Sequence, residues 1–346
     1  MSASQRAPVP DFEAPERILL AAPRGWCAGV ERAVDIVEVA LATYGAPIYV
    51  RKQIVHNLHV VRSLEAKGAV FVEELDEVPS GSTVVFSAHG VSPVVHRQAA
   101  ERDLKVIDAT CPLVTKVHHE ARKYSQAGYD IVLIGHEGHE EVVGTMGHAS
   151  RDHTGEHTRV HLVGDADEAR QVQLDDPAKV AYLTQTTLSV DETEGVVDVL
   201  RQRFPVLAGP KADDICYATQ NRQVAVKQLA AACDLVLVIG ATNSSNSVRL
   251  VEVARAAGTA SHLIADASMI DPAWFDGVRT LGLSSGASAP EWLIEQLVAT
   301  LRQRGTAEVT ELRAVEEDVH FALPGALRRD AEAARANASQ AVQAQT

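Results

Sequence analysis

No run of apolar residues in this chain approaches the roughly 18 needed to cross a bilayer as a helix. The segment from Met1 to Pro15 contains proline, serine and alanine but no apolar core, which argues against an export signal. Basic residues are in the minority, 32 against 46 acidic, for a formal net charge of −14. A surface of that sign repels nucleic acid and anionic membranes, so neither is expected as a partner. There are only 4 cysteines, and no two form a CxxC-type pair, the usual framework of a structural zinc site. A glycine–lysine phosphate loop and a convincing dinucleotide fingerprint are also missing, which argues against a bound nucleotide. No repeat is visible residue by residue. With no export signal, a cytoplasmic, reducing location is expected. The cysteines there are better read as metal ligands, reactive thiols or core residues than as disulfides.

What is present is a regular alternation. The 346 residues are 46% hydrophobic and 23% charged, enough for two or three packed units. A short apolar strand, a small-residue loop and an amphipathic helix follow one another again and again. Ile18–Ala22 leads to Val30–Leu41, Thr83–Ser87 to Val94–Arg102, and Val106–Ala109 to Leu113–Gln126. Ile131–Gly135 precedes the segment from His139, and Val180–Thr184 precedes Val190–Arg203. Leu235–Gly240 leads to Asn246–Ala257, and Thr280–Ser284 to Glu291–Arg304. This pattern predicts α/β architecture with mostly parallel sheets. Residues 1–16 and the Ala/Gln/Arg-rich tail 328–346 are expected to be disordered extensions.

The polar clusters fall just after predicted strands, at the edge where open α/β folds bind ligands. Cys27 and Cys111 sit at strand-to-helix turns, and Cys216 precedes a helix from about Gln220. Any one of them alone is best read as a small buried residue. Three at equivalent positions, one per third of the chain, favour ligands contributed by separate units to a shared centre, as an iron–sulfur cluster permits. Three ligands would leave one iron open as a Lewis acid. Cys233, between a helix and a strand, reads as a core residue.

His56, His89 and His139 lie in polar turns at the same edge, where they suit anion binding or proton transfer. Glu141 is the expected proton source, because a carboxyl in a partly dry pocket keeps its proton near neutral pH; Glu140 is its rival. Ser244-Ser245-Asn246 and Ser288 offer short donors beside helix N-termini, which hold a phosphate without many lysines. Capping alone would explain one such residue per helix. His118, His119, His136, His148, His153, His157 and His161 are expected at the surface.

In order along the chain, several segments resemble the 4-hydroxy-3-methylbut-2-enyl diphosphate reductases of the non-mevalonate isoprenoid pathway. They are Pro23–Val30, Val55-His56-Asn57, Phe86–Val91, Asp108–Val114, Gly144–Gly147, Thr184–Ser189, Asp214–Thr219, Asn243–Ser247 and Gly286–Pro290. The match runs from about Ile18 to about Leu323. The resemblance implies a trefoil of three similar α/β units around one central 4Fe–4S cluster. Residues 17–111, 112–209 and 210–305 would form the units, with 306–327 packing back on the core. It implies Cys27, Cys111 and Cys216 as ligands and an open fourth iron. His56, His89, His139, Thr186, Ser244, Ser245, Asn246 and Ser288 match positions that contact the allylic diphosphate, and Glu141 matches the proton-relay carboxylate. It further implies two-electron reductive dehydroxylation to isopentenyl and dimethylallyl diphosphates. Electrons would come from ferredoxin or flavodoxin through an NADPH-dependent reductase. One position departs from the pattern: the family usually has proline where this chain has Glu140. Two other classes compete, a transferase or hydrolase using Cys27 or Cys111 as nucleophile and a non-enzymatic metal or cluster sensor.

Overall fold

A computed structural model of the chain describes residues 12–150 and 159–343. Along the chain run β1 (Arg17–Ala22), α1 (Ala28–Tyr44), β2 (Ile48–Arg51), α2 (Leu58–Glu65) and β3 (Ala69–Val72). They are followed by β4 (Thr83–Phe86), α3 (Pro93–Glu101), β5 (Lys105–Asp108), α4 (Pro112–Gln126), β6 (Asp130–Ile134) and α5 (Glu140–Ala149). Next come β7 (Val160–Val163), α6 (Ala166–Gln171), β8 (Val180–Thr184), α7 (Val190–Arg203), α8 (Tyr217–Ala230), β9 (Leu235–Ile239) and α9 (Ser245–Ala256). The chain ends with β10 (Ala260–Ile264), β11 (Thr280–Ser285), α10 (Glu291–Gln303), β12 (Glu308–Arg313) and α11 (Gly325–Gln343). The fold is α/β, with the strands in three sheets ordered β3-β2-β4-β5, β7-β6-β8 and β10-β9-β11-β1-β12. All pairings among these strands are parallel. No helix among the described residues is long and apolar enough to cross a membrane.

The three sheets share one arrangement. β2, β6 and β9 each lie between the two strands that follow them, so the order reverses between β2 and β4, between β6 and β8, and between β9 and β11. Such reversals open a crevice beyond the carboxyl ends of the two strands, because the flanking connections leave in opposite directions.

The described residues gather into two compact units. One contains the described part of Met1–Cys27 with Thr187–Ser189 and Ile215–Val319, and it carries the five-stranded sheet. The other contains the described part of Ala28–Thr186 with Val190–Asp214 and His320–Thr346, and it carries the other two sheets.

In the first unit β9 reads Leu-Val-Leu-Val-Ile and is buried throughout. The period of two sends Leu235, Leu237 and Ile239 to one face, against Leu293, Ile294, Leu297 and Leu301 of α10. Val236 and Val238 go to the other face, against Ala225, Val226 and Leu229 of α8 and Leu250 and Val251 of α9. A continuous apolar run is what a parallel strand covered on both sides requires. Each fully buried leucine or valine contributes roughly 1.5–3 kcal/mol of transfer free energy. In the second unit Phe86, Val84 and Leu75 centre one core, and Ile131, Leu133, Leu183 and Val117 another.

Two expectations from the sequence are corrected. The tail from Arg328 is not disordered over its described length: α11 runs to Gln343, buries Leu327 and Ala331 one turn apart, and packs on α1. Tyr44 Oη donates to Asp330 Oδ2 at 2.7 Å. The alanine and arginine that resembled a disordered composition are strong helix formers, and two buried apolar positions one turn apart dock the helix. His118 is not at the surface but 4% exposed, on the inner face of α4. His153 and His157 lie outside the described residues, as do residues 1–11 of the N-terminal extension. Its described end is anchored by Phe12, whose ring stacks on Phe275 with centroids 4.2 Å apart.

Candidate active site

The expected binding residues occupy all three reversal points. His56 and His89 follow β2 and β4, His139 and Thr186 follow β6 and β8, and Ser244–Asn246 and Ser288 follow β9 and β11.

In the second unit the strand ends bring the three histidines together. The His56 and His89 rings stack with centroids 4.0 Å apart and planes at 22°. His139 stands edge-on to both, at 5.5 Å from His56 and 5.9 Å from His89. Burial lowers the pKa of His56 and of His139 to about 4. His89 is held well below the usual imidazole range, by burial first and then by its two neighbours. The rings are therefore neutral near pH 7, each with one N–H to donate. For His139 the tautomer follows from the fold: it caps α5, and its Nδ1 accepts from Glu141 N at 3.2 Å. The ring proton must then sit on Nε2, leaving Nε2–H as the donor.

Glu141, in the first turn of α5, is 2% exposed. Its Oε1 accepts from Thr186 N at 2.6 Å and its Oε2 from Thr186 Oγ1 at 3.0 Å. Burial pushes its pKa up to about 7, over the opposing pull of both Thr186 bonds, and the nearby charge of Asp214 adds to the rise. The neighbouring Glu140 is different in kind. It is partly exposed and ion-paired, its Oε2 3.4 Å from Arg51 Nη1 and its Oε1 3.9 Å from Lys52 Nζ. In this environment Glu141 is the carboxyl built to hold a proton.

Cys111 caps α4, and its N–H donates to Ala88 O at 3.0 Å, which ties it beside His89. The carbonyls of Ala109 and Thr110 are held by Arg32 Nη1 at 3.2 and 3.1 Å.

In the first unit Cys27 lies between β1 and α1, its N–H donating to Ala287 O at 3.3 Å. Cys216 caps α8, with its Sγ 3.2 Å from Thr219 Oγ1. Asn246 is buried and bridges two loops: its Nδ2 donates to Thr219 Oγ1 at 3.2 Å, and its Oδ1 accepts from Ala287 N at 2.8 Å. Ser244 caps α9 and accepts from Ser247 N at 3.3 Å, from Ser247 Oγ at 3.0 Å and from Ser288 Oγ at 3.5 Å. Ser245 Oγ donates to Thr187 O at 3.3 Å. Gly240 and Gly286 make this packing possible, since a Cβ on either would lie 2.2 or 2.0 Å from Ser247 Oγ. Ser244 and Ser288 thus share one hydrogen-bonded cluster with Ser247, while Asn246 and Ser245 bond to Thr219, Ala287 and Thr187.

Sequence reasoning missed the supports. Asp214 is buried, accepts from Thr184 N at 3.1 Å and pairs with Lys116 Nζ at 3.0 Å; burial raises its pKa against those attractions. Thr219, Ser247, Arg32, Lys116 and Arg222 were also passed over. Partial signals existed, because Thr219 and Asp214 lie inside motifs already singled out, but the partners of Asp214 are 30 and 98 residues away and Thr219 is reached by Asn246 from 27. Cys233 packs against the core of the first unit, and burial pushes its thiol up to about 12, consistent with a core residue.

None of the 4 cysteines forms a disulfide. Cys27, Cys111 and Cys216 each stand immediately before the first residue of a helix, where free N–H groups and the positive dipole end can meet an anionic group. In the first unit, Ser284 and Ser285 Oγ at the end of β11 are buried without a hydrogen-bond partner, and Gly25 of the Cys27 loop donates to Ser285 O at 3.4 Å. This donor set fits a thiolate-bound cofactor. No three His, Cys, Asp or Glu side chains among the described residues are grouped to hold a single metal ion.

The LytB protein family matches residues 18–302. A relative from Acidothermus cellulolyticus, named 4-hydroxy-3-methylbut-2-enyl diphosphate reductase, is 61% identical over 318 residues, 92% of each chain. One of the same name from Leifsonia xyli subsp. xyli is 58% identical over 316 residues, 91% of this chain and 92% of the relative. The solved E-1-hydroxy-2-methyl-but-2-enyl-4-diphosphate reductase of Plasmodium falciparum superposes with a TM-score of 0.86 at 35% identity, covering 91% of this chain and 98% of that one. A second solved structure, the (E)-4-hydroxy-3-methyl-but-2-enyl diphosphate reductase described as the terminal enzyme of the non-mevalonate pathway, gives 0.58 at 32%, covering 83% and 99%. With a family match over most of its length, the chain belongs to the LytB family.

Proposed function

We propose that the protein reduces 4-hydroxy-3-methylbut-2-enyl diphosphate to isopentenyl and dimethylallyl diphosphates. The observation that carries the proposal is Glu141, a buried carboxyl with a pKa of about 7, one residue pair away from a cluster of neutral imidazoles. Such a pairing joins a proton donor that is still charged with its proton near neutral pH to donors that an anion can use. The names of the relatives supply the substrate class.

In this reading Cys27, Cys111 and Cys216 are the ligands of one 4Fe–4S cluster. When bound, the cluster would pass on the donor's two electrons one at a time and offer an open, Lewis-acidic iron to the substrate hydroxyl. The chain's own residues do the rest. His56, His89 and His139 donate N–H groups to the diphosphate, whose charge in turn raises their pKa values and draws protons onto them. Ser244, Ser245, Asn246 and Ser288 hold the diphosphate at the third reversal point, exchanging bonds now made to neighbouring protein groups. Thr186 orients Glu141 through two donors and contacts substrate through its side chain. The net reaction takes up two electrons and two protons and breaks the C–O bond. Glu141 provides the proton on which the hydroxyl leaves as water, and the second proton ends on the allylic carbon frame. Ferredoxin or flavodoxin, reduced by an NADPH-dependent reductase, delivers the electrons in the cytoplasm.

The test is a Mössbauer spectrum of anaerobically prepared, iron-57-labelled protein with and without the diphosphate substrate. A four-iron cluster with one distinct iron that shifts on adding substrate is the expected result. Absence of a cluster, or four equivalent irons indifferent to substrate, would return the protein to the thiol-dependent transferases or the sensors.

A further inference from the structure

We infer that Arg32, Lys116 and Arg222 are positioning residues for the three cysteines, each holding the backbone that leads into one cysteine from a helix that another cysteine starts. This inference rests on reading Cys27, Cys111 and Cys216 as ligands of one cluster. Arg32 and Lys116 lie five residues beyond Cys27 and Cys111, and Arg222 lies six beyond Cys216.

The connectivity is cyclic. Cys27 leads into α1, and Arg32 of α1 donates to the carbonyls of Ala109 and Thr110, the two residues before Cys111. Cys111 caps α4, and Lys116 of α4 donates to Ala212 O, to Asp213 O at 3.0 Å and to Asp214 Oδ1 at 3.0 Å, in the segment before Cys216. Cys216 caps α8, and Arg222 of α8 donates to Gly25 O from Nε at 3.1 Å and from Nη2 at 2.8 Å, and to Trp26 O at 3.3 Å, just before Cys27. Each contact lies inside one of the two units, and the chain itself joins the units at Cys27 and at Asp214.

Arg222 is 0% exposed. Its remaining donors are taken by Ala218 O at 2.9 Å and Glu317 Oε1 at 3.0 Å, so the whole guanidinium fork is satisfied. Burying that charge is tolerable only because every donor has a partner. Glu317 and Asp214 neutralise Arg222 and Lys116 locally. Arg222 and Lys116 therefore fix loop geometry through charge-assisted bonds without adding net charge, and Arg32 does the same for Ala109 and Thr110 through its bonds to their carbonyls. Strand-end loops carry carbonyls with no ladder partner, and a flexible approach to a cysteine would let its sulfur drift.

The test uses the cluster-loaded protein and the variants Arg32→Met, Lys116→Met and Arg222→Lys, the last keeping the charge but losing the fork. Arg255→Met, which breaks bonds to Ser261 O elsewhere in the first unit, controls for general destabilisation. Iron release to a chelator is followed optically, and the first cysteine alkylated by iodoacetamide is identified by peptide mass spectrometry. The expected result is release about 10- to 100-fold faster than in the parent. The first cysteine alkylated is expected to be Cys111, Cys216 and Cys27 in the three variants respectively, with parental release in Arg255→Met. Parental release in all three, or the same cysteine freed first in every variant, overturns the inference while leaving the cluster intact. A parent that takes up no cluster overturns the cluster reading, and the inference with it. If Arg222→Lys does not fold, the other two variants decide the matter alone.

Discussion

Thr186 satisfies both oxygens of Glu141 at once, its N–H 2.6 Å from Oε1 and its hydroxyl 3.0 Å from Oε2. Both bonds favour the ionised carboxyl, yet its pKa stands at about 7 because burial outweighs them. The residue is thereby held at the point where it can both keep and release a proton.

Thr186→Val removes the hydroxyl donor and keeps the amide. A hydrogen bond to a charged group contributes about 1.5–3 kcal/mol, so its loss should raise the Glu141 pKa by about one to two units. Turnover falls where the acid loses its proton, and that alkaline limb should move to higher pH in the variant. An unmoved limb in the kcat profile would place the titration elsewhere.

Glu141→Gln should lower kcat by about 10²- to 10⁴-fold, the usual contribution of a positioned acid. Its stability should change in the opposite sense. A carboxyl whose folded pKa is raised from 4.5 to about 7 adds stability below its unfolded pKa, and that stability is lost as pH rises through the folded value. The parent therefore carries a penalty of about 3 kcal/mol at pH 8 that the amide lacks. Melting temperatures at pH 5 and pH 8 should show the variant gaining on the parent at the higher pH.

Glu140→Gln is the contrasting case. A partly exposed pair with Arg51 and Lys52 contributes about 0–1 kcal/mol, and Arg51 keeps its bond to Glu74 Oε2 at 3.0 Å. Turnover and its pH profile should stay within twofold of the parent, roughly the scatter of such pairs. A loss comparable to that of Glu141→Gln would move the acid to residue 140.

The imidazoles make binding pH-dependent. Their empty-site pKa values, about 4 for His56 and His139, must rise when a diphosphate arrives, so binding takes up protons and weakens as pH climbs through the bound values. Calorimetry with inorganic pyrophosphate in two buffers of different ionisation enthalpy should show net proton uptake at pH 7. A titration with no buffer dependence would remove the three histidines from the anion site.

Gly286→Ala places a Cβ 2.0 Å from Ser247 Oγ. Overpacking of this kind costs about 1–3 kcal/mol, and Ser247→Ala in the same chain should recover part of it. A double-mutant cycle by denaturant unfolding measures that coupling, and strict additivity would show that the two residues do not meet.

Much of this was legible in the residues. The alternation of strands and helices, the strand-end position of every proposed binding residue and the ordinary character of Cys233 followed from periodicity and composition. The nomination of Glu141 also came from the sequence, with Glu140 left as its rival. The strands β2, β3, β7, β10 and β12 were not read; four of the five lie at sheet edges, where a half-covered strand carries a weaker apolar signal. The tail misled because low apolar content and helix formation are compatible when a partner helix is at hand.

Sequence by itself determined which loops gather small polar residues at strand ends, since side-chain period and helix-start residues are local properties of a few neighbouring positions. Tertiary structure alone decided the strand order that sets three reversal points above three sheets. It also decided which of two adjacent glutamates is dry, that two imidazoles stack with a third edge-on and all three stay neutral, and which cations hold the approaches to the cysteines. Those outcomes depend on desolvation and on hydrogen bonds between residues as many as 197 positions apart, and no local pattern encodes them.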